Sequence, residues 1–206
     1  GTENHLSIGS VGMMGCSRAG NFTIQNSDLI LVLGCRLNSM TFGNDASKFA
    51  REAKIIVVDI DQIEHSKDAV EIDRLIIADI KHTLHTFNKY LKLNAKTEWV
   101  NKCVHWKKTF PNCEPRFEKS DKIDLYVLAK CFSKVLPIDS VFLTDSGLIE
   151  LLLPTNISFK KGQRIIHPIS QGSMGFALPG SIGAFFSSKK VISLSDISQQ
   201  ISLSNV

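Results

Sequence analysis

The chain has 206 residues, of which 43% are hydrophobic and 21% charged, with a formal net charge of +4. That is apolar material for one large or two small domains, in an ordinary globular balance. The lysines are scattered rather than gathered into a stripe, which argues against a nucleic-acid surface, and no apolar run is long enough to span a membrane or serve as a signal peptide.

Ala19 to Asn26 reads as a short helix, followed by the apolar run Leu29-Ile30-Leu31-Val32-Leu33 closed by Gly34. A polar stretch with Gly43 leads to Phe49–Ala53, read as one or two helical turns. Two further runs follow, Ile55-Ile56-Val57-Val58 ending at Asp59, and Leu75-Ile76-Ile77. Short β-branched runs between breakers have the pattern of strands covered on both faces. Asp79 is placed to cap a helix whose Leu84, Phe87 and Leu91 share one face. From about Lys92 to Ser120 the pattern loosens into a helical or irregular connection. A second unit then opens with a helix near Ile123 to Val135, stopped by Pro137, which places Leu125, Leu128, Phe132, Val135 and Leu136 on one side. Val141-Phe142-Leu143 runs into Asp145-Ser146-Gly147. Arg164-Ile165-Ile166 is a further strand, and a Gly/Pro-rich segment, Gln171 to Ala184, precedes the last strand, Val191 to Leu194.

Strand–helix alternation of this kind predicts an α/β fold with two parallel-sheet, Rossmann-like or doubly wound units, both incomplete. The boundaries read as 1–92, a connector at 93–120, and 121–206. Five cysteines (Cys16, Cys35, Cys103, Cys113, Cys131) with no CxxC spacing point to reduced thiols in a cytoplasmic protein. Cys103, His105 and Cys113 lie close in sequence but fall short of a tetrahedral zinc set. The chain opens on Gly1 rather than Met and stops at Ser204-Asn205-Val206, and so reads as an excised segment.

Three stretches carry a resemblance. The first is Gly9-Ser10-Val11-Gly12-Met13-Met14-Gly15 with Asn21 and the run from Asn26 to Leu37, ending in Gly34-Cys35-Arg36. The second is Phe49 to Asp61, ending in Asp59-Ile60-Asp61, with Glu64 and Lys67 after it. The third is Gln171-Gly172-Ser173-Met174-Gly175-Phe176-Ala177-Leu178-Pro179-Gly180-Ser181-Ile182-Gly183-Ala184, preceded by Asp145-Ser146-Gly147 and Gly162-Gln163-Arg164. In order and spacing these resemble acetolactate synthase-like, thiamine-diphosphate-dependent enzymes: part of the middle domain, then the start of the diphosphate-binding domain.

The resemblance implies thiamine diphosphate and Mg2+ as cofactors, with Gly172, Met174, Gly175, Asp145 and Gly147 around the former. Thiamine diphosphate reacts through C2 of its thiazolium ring, deprotonated by its own aminopyrimidine, so the cofactor must be bent. Met174 matches the apolar side chain wedged under the bend; an unbranched Met suits an irregular gap. Gly172 matches the residue whose carbonyl accepts from the aminopyrimidine, and glycine lets backbone approach a ligand closely. The resemblance also places Arg36, Asp59 and Asp61 near FAD or an adenine nucleotide, an acidic residue at a strand end suiting a ribose hydroxyl. Some relatives bind nothing there, and Met40 stands where a second arginine belongs, which weighs against flavin.

Two features depart from the family pattern. The glutamate that activates the aminopyrimidine belongs to a first domain, which this sequence does not contain, so no catalytic residue is assigned in this chain. After Val191-Ile192-Ser193-Leu194-Ser195, where a Gly-Asp-Gly-Ser magnesium loop belongs, the chain reads Asp196-Ile197-Ser198-Gln199-Gln200. Either the loop is degenerate and Asp196 is the metal ligand, or a short loop is missing between Ser195 and Asp196 and Ile197 to Leu203 is the helix that follows it. Oxygen ligands are what magnesium requires. The expected function is part of a carboligase or decarboxylase acting on a small 2-keto acid, not catalytically complete as written, from a homodimeric or homotetrameric parent. The alternative is a non-catalytic nucleotide-binding or structural α/β module. Neither nucleic acid nor membrane is an expected partner.

Overall fold

The structure, a computed structural model, describes residues 2, 4–67, 69–92, 96–187 and 190–195. The chain divides into two compact units, one built from residues 10–13 and 17–111, the other from residues 1–9, 14–16 and 112–206.

The first unit opens with α1 (Arg18–Gln25), whose Ser17 cap accepts from the Gly20 N–H at 3.2 Å. Three parallel strands, β1 (Leu29–Leu33), β2 (Lys54–Asp59) and β3 (Arg74–Ile77), form one sheet in that order. Ile30 pairs with Ile55, and Val57 with Leu75. The three apolar runs are thus the strands, as expected. Ile30, Val32, Ile55, Val57, Phe49 and Ala50 make the buried core. The other face of β1 is open: Leu29 is 55% and Leu31 41% exposed. A continuous apolar run therefore does not mean burial on both faces here.

Between β1 and β2 lie the short helix α2 (Ser39–Phe42), capped by Asn38, and a 3-10 turn at Ala46–Lys48. Phe49–Ala53, expected to be helical, is not. Ala50 sits at φ 45°, the Ala50 N–H donates to Gln25 Oε1, and a turn closes from Ala53 N–H to the Ala50 carbonyl. α3 (Ile80–Tyr90) is capped by Asp79, which accepts from the His82 N–H at 2.9 Å. Of its expected inward face, Leu84 and Leu91 are exposed, and Thr83 is the buried residue. α4 (Thr97–Thr109) packs on α1 through aromatic rings, with Phe22 edge-on to Phe110 at 5.2 Å and 6.0 Å from Trp106.

In the second unit, α5 (Leu125–Val135) is capped by Asp124, which accepts from Tyr126 and Val127 N–H groups. β4 (Val141–Thr144) is buried at every residue and lies between β5 (Arg164–Ile166) and β6 (Val191–Leu194), all parallel. Alternate β4 side chains enter two cores: Phe142 joins Ala129, Leu136, Leu153 and Ile157, whereas Val141 and Leu143 join Ala184. Both faces of this strand are covered.

Two helices in this unit had no helical signal in the sequence reading. α6 (Leu148–Asn156) packs against α5 and holds Pro154 in its interior, where proline forfeits one backbone bond. α7 (Ala177–Phe185) packs against β4 and β6 and carries Pro179 in its first turn, where the missing N–H costs nothing. Because β4 is central and its successors lie on opposite sides, the chain reverses direction across the sheet at the end of β4. That is where α/β sheets open a crevice for ligands.

Candidate functional site

The end of β4 is organised by Asp145, which is fully buried. Its Oδ1 accepts from the N–H groups of Phe176 and Ala177, at 2.6 and 3.3 Å, and its Oδ2 accepts from Ser195 Oγ at 2.5 Å. Its own N–H donates to the Leu194 carbonyl. α7 has no cap from its own flanking residue, so Asp145 supplies one from another strand, placing negative charge where the helix dipole favours it. A carboxylate from β4 thus ties together β6 and the loop entering α7.

That loop runs from β5 to α7 and contains Gly172, Met174 and Gly175. The N–H groups of Gln171 and Gly172 both donate to the Pro168 carbonyl, at 3.0 and 2.7 Å, forming a tight turn. Gly172 takes φ 58°, and a Cβ there would meet nothing within 4 Å; Gly147, at φ 101° beside β4, is also open. Met174 is 65% exposed, so it is not a core residue, while the next residue, Gly175, is buried. A large apolar side chain in the open, on the same loop as the unobstructed Gly172 backbone, fits a ligand that packs under Met174 and approaches main chain. The residues present fit thiamine diphosphate in that sense.

The metal side is different. Asp196 and the segment Ile197–Leu203 lie outside the described residues, as does the spacing from Ser195 to Asp196. Among the described residues no group of His, Cys, Asp and Glu is placed to hold a metal ion, Cys103, His105 and Cys113 included. Cys35, Cys103, Cys113 and Cys131 are free thiols. No described helix is long and apolar enough to cross a membrane.

In the first unit, Gly34 and Arg36 follow β1, and Asp59 ends the adjacent β2. Arg36 is exposed. Asp59 turns its carboxylate inward: Oδ1 accepts from the Asp61 N–H at 3.0 Å, and Oδ2 lies 3.3 Å from Nε2 of the buried His65 ring. The Asp61 N–H, then His65, hold the Asp59 carboxyl below the usual carboxylate range. Asp61 Oδ1 accepts from the Ile63 and Glu64 N–H groups and so caps the 3-10 turn Glu64–Ser66. Both acidic residues expected beside a nucleotide are therefore bonded within their own loop.

The glycines at the start of the chain are structural. Asn21 exchanges two hydrogen bonds with Gly12, and Gly15 gives its carbonyl to Thr155 Oγ1 and Asn156 Nδ2. The polar groups missed by sequence reasoning are Glu150 on α6 and His167 just after β5; their seventeen-residue separation (167 − 150) offers no local signal.

Residues 1–87 match the family described as thiamine pyrophosphate enzyme, central domain. Over 180 residues, 85% of this chain, it is 31% identical to the acetolactate synthase large subunit of Buchnera aphidicola, covering 31% of that protein. It is 28% identical over 179 residues to the acetolactate synthase isozyme 1 large subunit of Escherichia coli, covering 87% of this chain and 31% of that protein. It is 32% identical over 193 residues to a probable acetolactate synthase large subunit of Methanocaldococcus jannaschii, covering 88% of this chain and 32% of that protein. The chain thus spans about a third of the length of the relatives it matches. By sequence, the chain belongs to the acetolactate synthase-like, thiamine-diphosphate-dependent enzyme family.

Proposed function

We propose that the chain supplies part of a thiamine diphosphate site of an enzyme that forms or cleaves a carbon–carbon bond beside the carbonyl of a small 2-keto acid. The observation that carries this reading is the exposed Met174 on the loop that also carries the open backbone of Gly172 and is fixed by Asp145. Thiamine diphosphate, when bound, would supply a carbanion nucleophile and a thiazolium ring that serves as electron sink. The protein's share is orientation. The Gly172 carbonyl accepts from the aminopyrimidine, Met174 supports the bend, and Gly147 lets the main chain approach the diphosphate. Asp145 acts one step back, fixing the loop that presents Gly172, Met174 and Gly175. Proton activation is left to the family's first-domain glutamate, so the residues named here bind and orient without completing the catalyst. Magnesium falls to Asp196 if the family's loop is degenerate in this chain. The working assembly is a homodimer or homotetramer in the cytoplasm.

A second reading applies to the first unit. With Asp59 and Asp61 satisfied by their own loop, Arg36 is left without the acidic pair beside a ribose, and the unit acts as a structural module rather than a flavin site.

Backbone amide NMR of the chain titrated with Mg2+ and thiamine diphosphate tests both readings. Shift changes confined to Gly147, Gln171–Ala177 and the neighbourhood of Asp196, absent with thiamine alone, are expected. Changes elsewhere, or none at millimolar cofactor, would overturn the cofactor reading. Changes around Arg36 and Asp59 on adding FAD or ADP would overturn the second.

A further inference from the structure

Among the described residues of the second unit, Thr144 Oγ1, Glu150 Oε1 and His167 Nδ1 are buried without a hydrogen-bond partner. Their placement is shared. Leu143 pairs with Ile166, so Thr144 and His167 are the next residues along β4 and β5. Glu150 enters from the first turn of α6, which begins directly after β4 and Gly147. Glu150 is 5% exposed, and its Oε1 lies 3.7 Å from His167 Nδ1. Orphaned polar groups at such a depth are costly and unusual. Two of them facing each other a few tenths of an ångström beyond bonding distance have an evident mutual remedy.

We propose that Glu150 and His167 form a positioning pair: the carboxylate holds the imidazole in its Nδ1–H tautomer and so fixes the start of the loop that carries Gly172 and Met174. A carboxylate only accepts, so the ring nitrogen facing it must donate, and when the ring is neutral that leaves Nε2 unprotonated. Nδ1 is shielded, whereas 21% of the His167 side chain is open, so the rest of the ring reaches the surface. The next residue, Pro168, offers the carbonyl that takes the Gln171 and Gly172 N–H groups. Fixing His167 therefore fixes the anchor of the turn that presents Gly172. Glu150 and His167 are positioning residues; neither is assigned a contact with the cofactor. The importance of the loop rests on the proposed cofactor site, but the pair is tested without cofactor, so the two ideas fail separately.

The test is made on the cofactor-free chain. At about pH 8.5, where an imidazole is ordinarily neutral, long-range 1H–15N spectra, with His167 assigned through His167→Gln, should show a protonated Nδ1 and an unprotonated Nε2. Glu150→Ala should shift the ring to the Nε2–H form and speed hydrogen exchange of the Gly172 amide about tenfold or more, leaving the β4 amides of Phe142 and Leu143 unchanged. Glu150→Gln, which keeps an acceptor oxygen, should retain the wild-type tautomer and exchange within about twofold. An Nε2–H ring in the wild type overturns the proposal even if the alanine variant does not fold. Equal acceleration at Gly172, Phe142 and Leu143 overturns it as well, because that is general loss of stability. So does unchanged Gly172 exchange in Glu150→Ala.

Discussion

At the scale of single residues, buried carboxylates decide more here than buried hydrocarbon. Asp145 takes two backbone N–H groups and one hydroxyl from segments remote in sequence. Asp145→Ala strands those donors, and urea unfolding should show a loss of roughly 2–4 kcal/mol, the scale of buried donors deprived of a charged partner. Asp145→Asn keeps one acceptor oxygen and should lose less than half of that. Asp59 gives a pH-dependent counterpart. Its carboxyl is held below its ordinary value of 3.8, so the stabilisation is present above that value and is lost as pH falls through the lowered folded-state value. Asp59→Asn should therefore be less stable than wild type at neutral pH, and the difference should close below about pH 4. A constant difference down to pH 2 would contradict the role given to the Asp61 N–H and His65.

Elements show how glycine serves two purposes in one chain. A Cβ at Gly15, at φ 67°, would meet the Leu151 carbonyl oxygen and Leu152 Cδ2 at 2.9 Å. Gly15→Ala therefore combines left-handed strain with a clash, and a loss of about 2 kcal/mol or more is expected in thermal or urea unfolding. Gly172 has a similar φ of 58° but open space around it. Gly172→Ala should cost about 1 kcal/mol from backbone conformation alone, while lowering affinity for thiamine diphosphate by a larger factor than Gly15→Ala does. The strands were legible because Leu29–Leu33, Ile55–Val58 and Val141–Leu143 are short apolar runs between breakers, and parallel register follows from the intervening helical segments. α6 was not legible: Leu148-Ile149-Glu150-Leu151-Leu152-Leu153 is too evenly apolar to show a helical face, and Pro154 argues against a helix. α7 was hidden by Pro179, Gly180 and Gly183. Which strand face is buried was not legible either, as Leu31 looks like Val32 in sequence yet faces outward.

For the whole molecule, the two units use the same parallel β-sheet logic with different outcomes. In the first, the carboxylates at the strand ends are closed on their own loop; in the second, one carboxylate organises a loop that leaves Met174 and the Gly172 backbone open. The glycine–methionine segment could be read from sequence because its residues are consecutive and match the family's spacing. Asp145's bonding could not, since its partners lie 31, 32 and 50 residues away. In the proposed site Met174 faces a cofactor and not a core. Calorimetric titration of wild type and Met174→Ala with thiamine diphosphate and Mg2+, beside their urea unfolding curves, tests it most directly. With Met174 65% exposed, truncation should change stability by no more than about 0.5 kcal/mol while weakening the cofactor about tenfold, the loss of most of a buried methionine contact. Equal affinity in the two proteins, or a stability loss of about 2 kcal/mol or more as for a core methionine, would contradict the account.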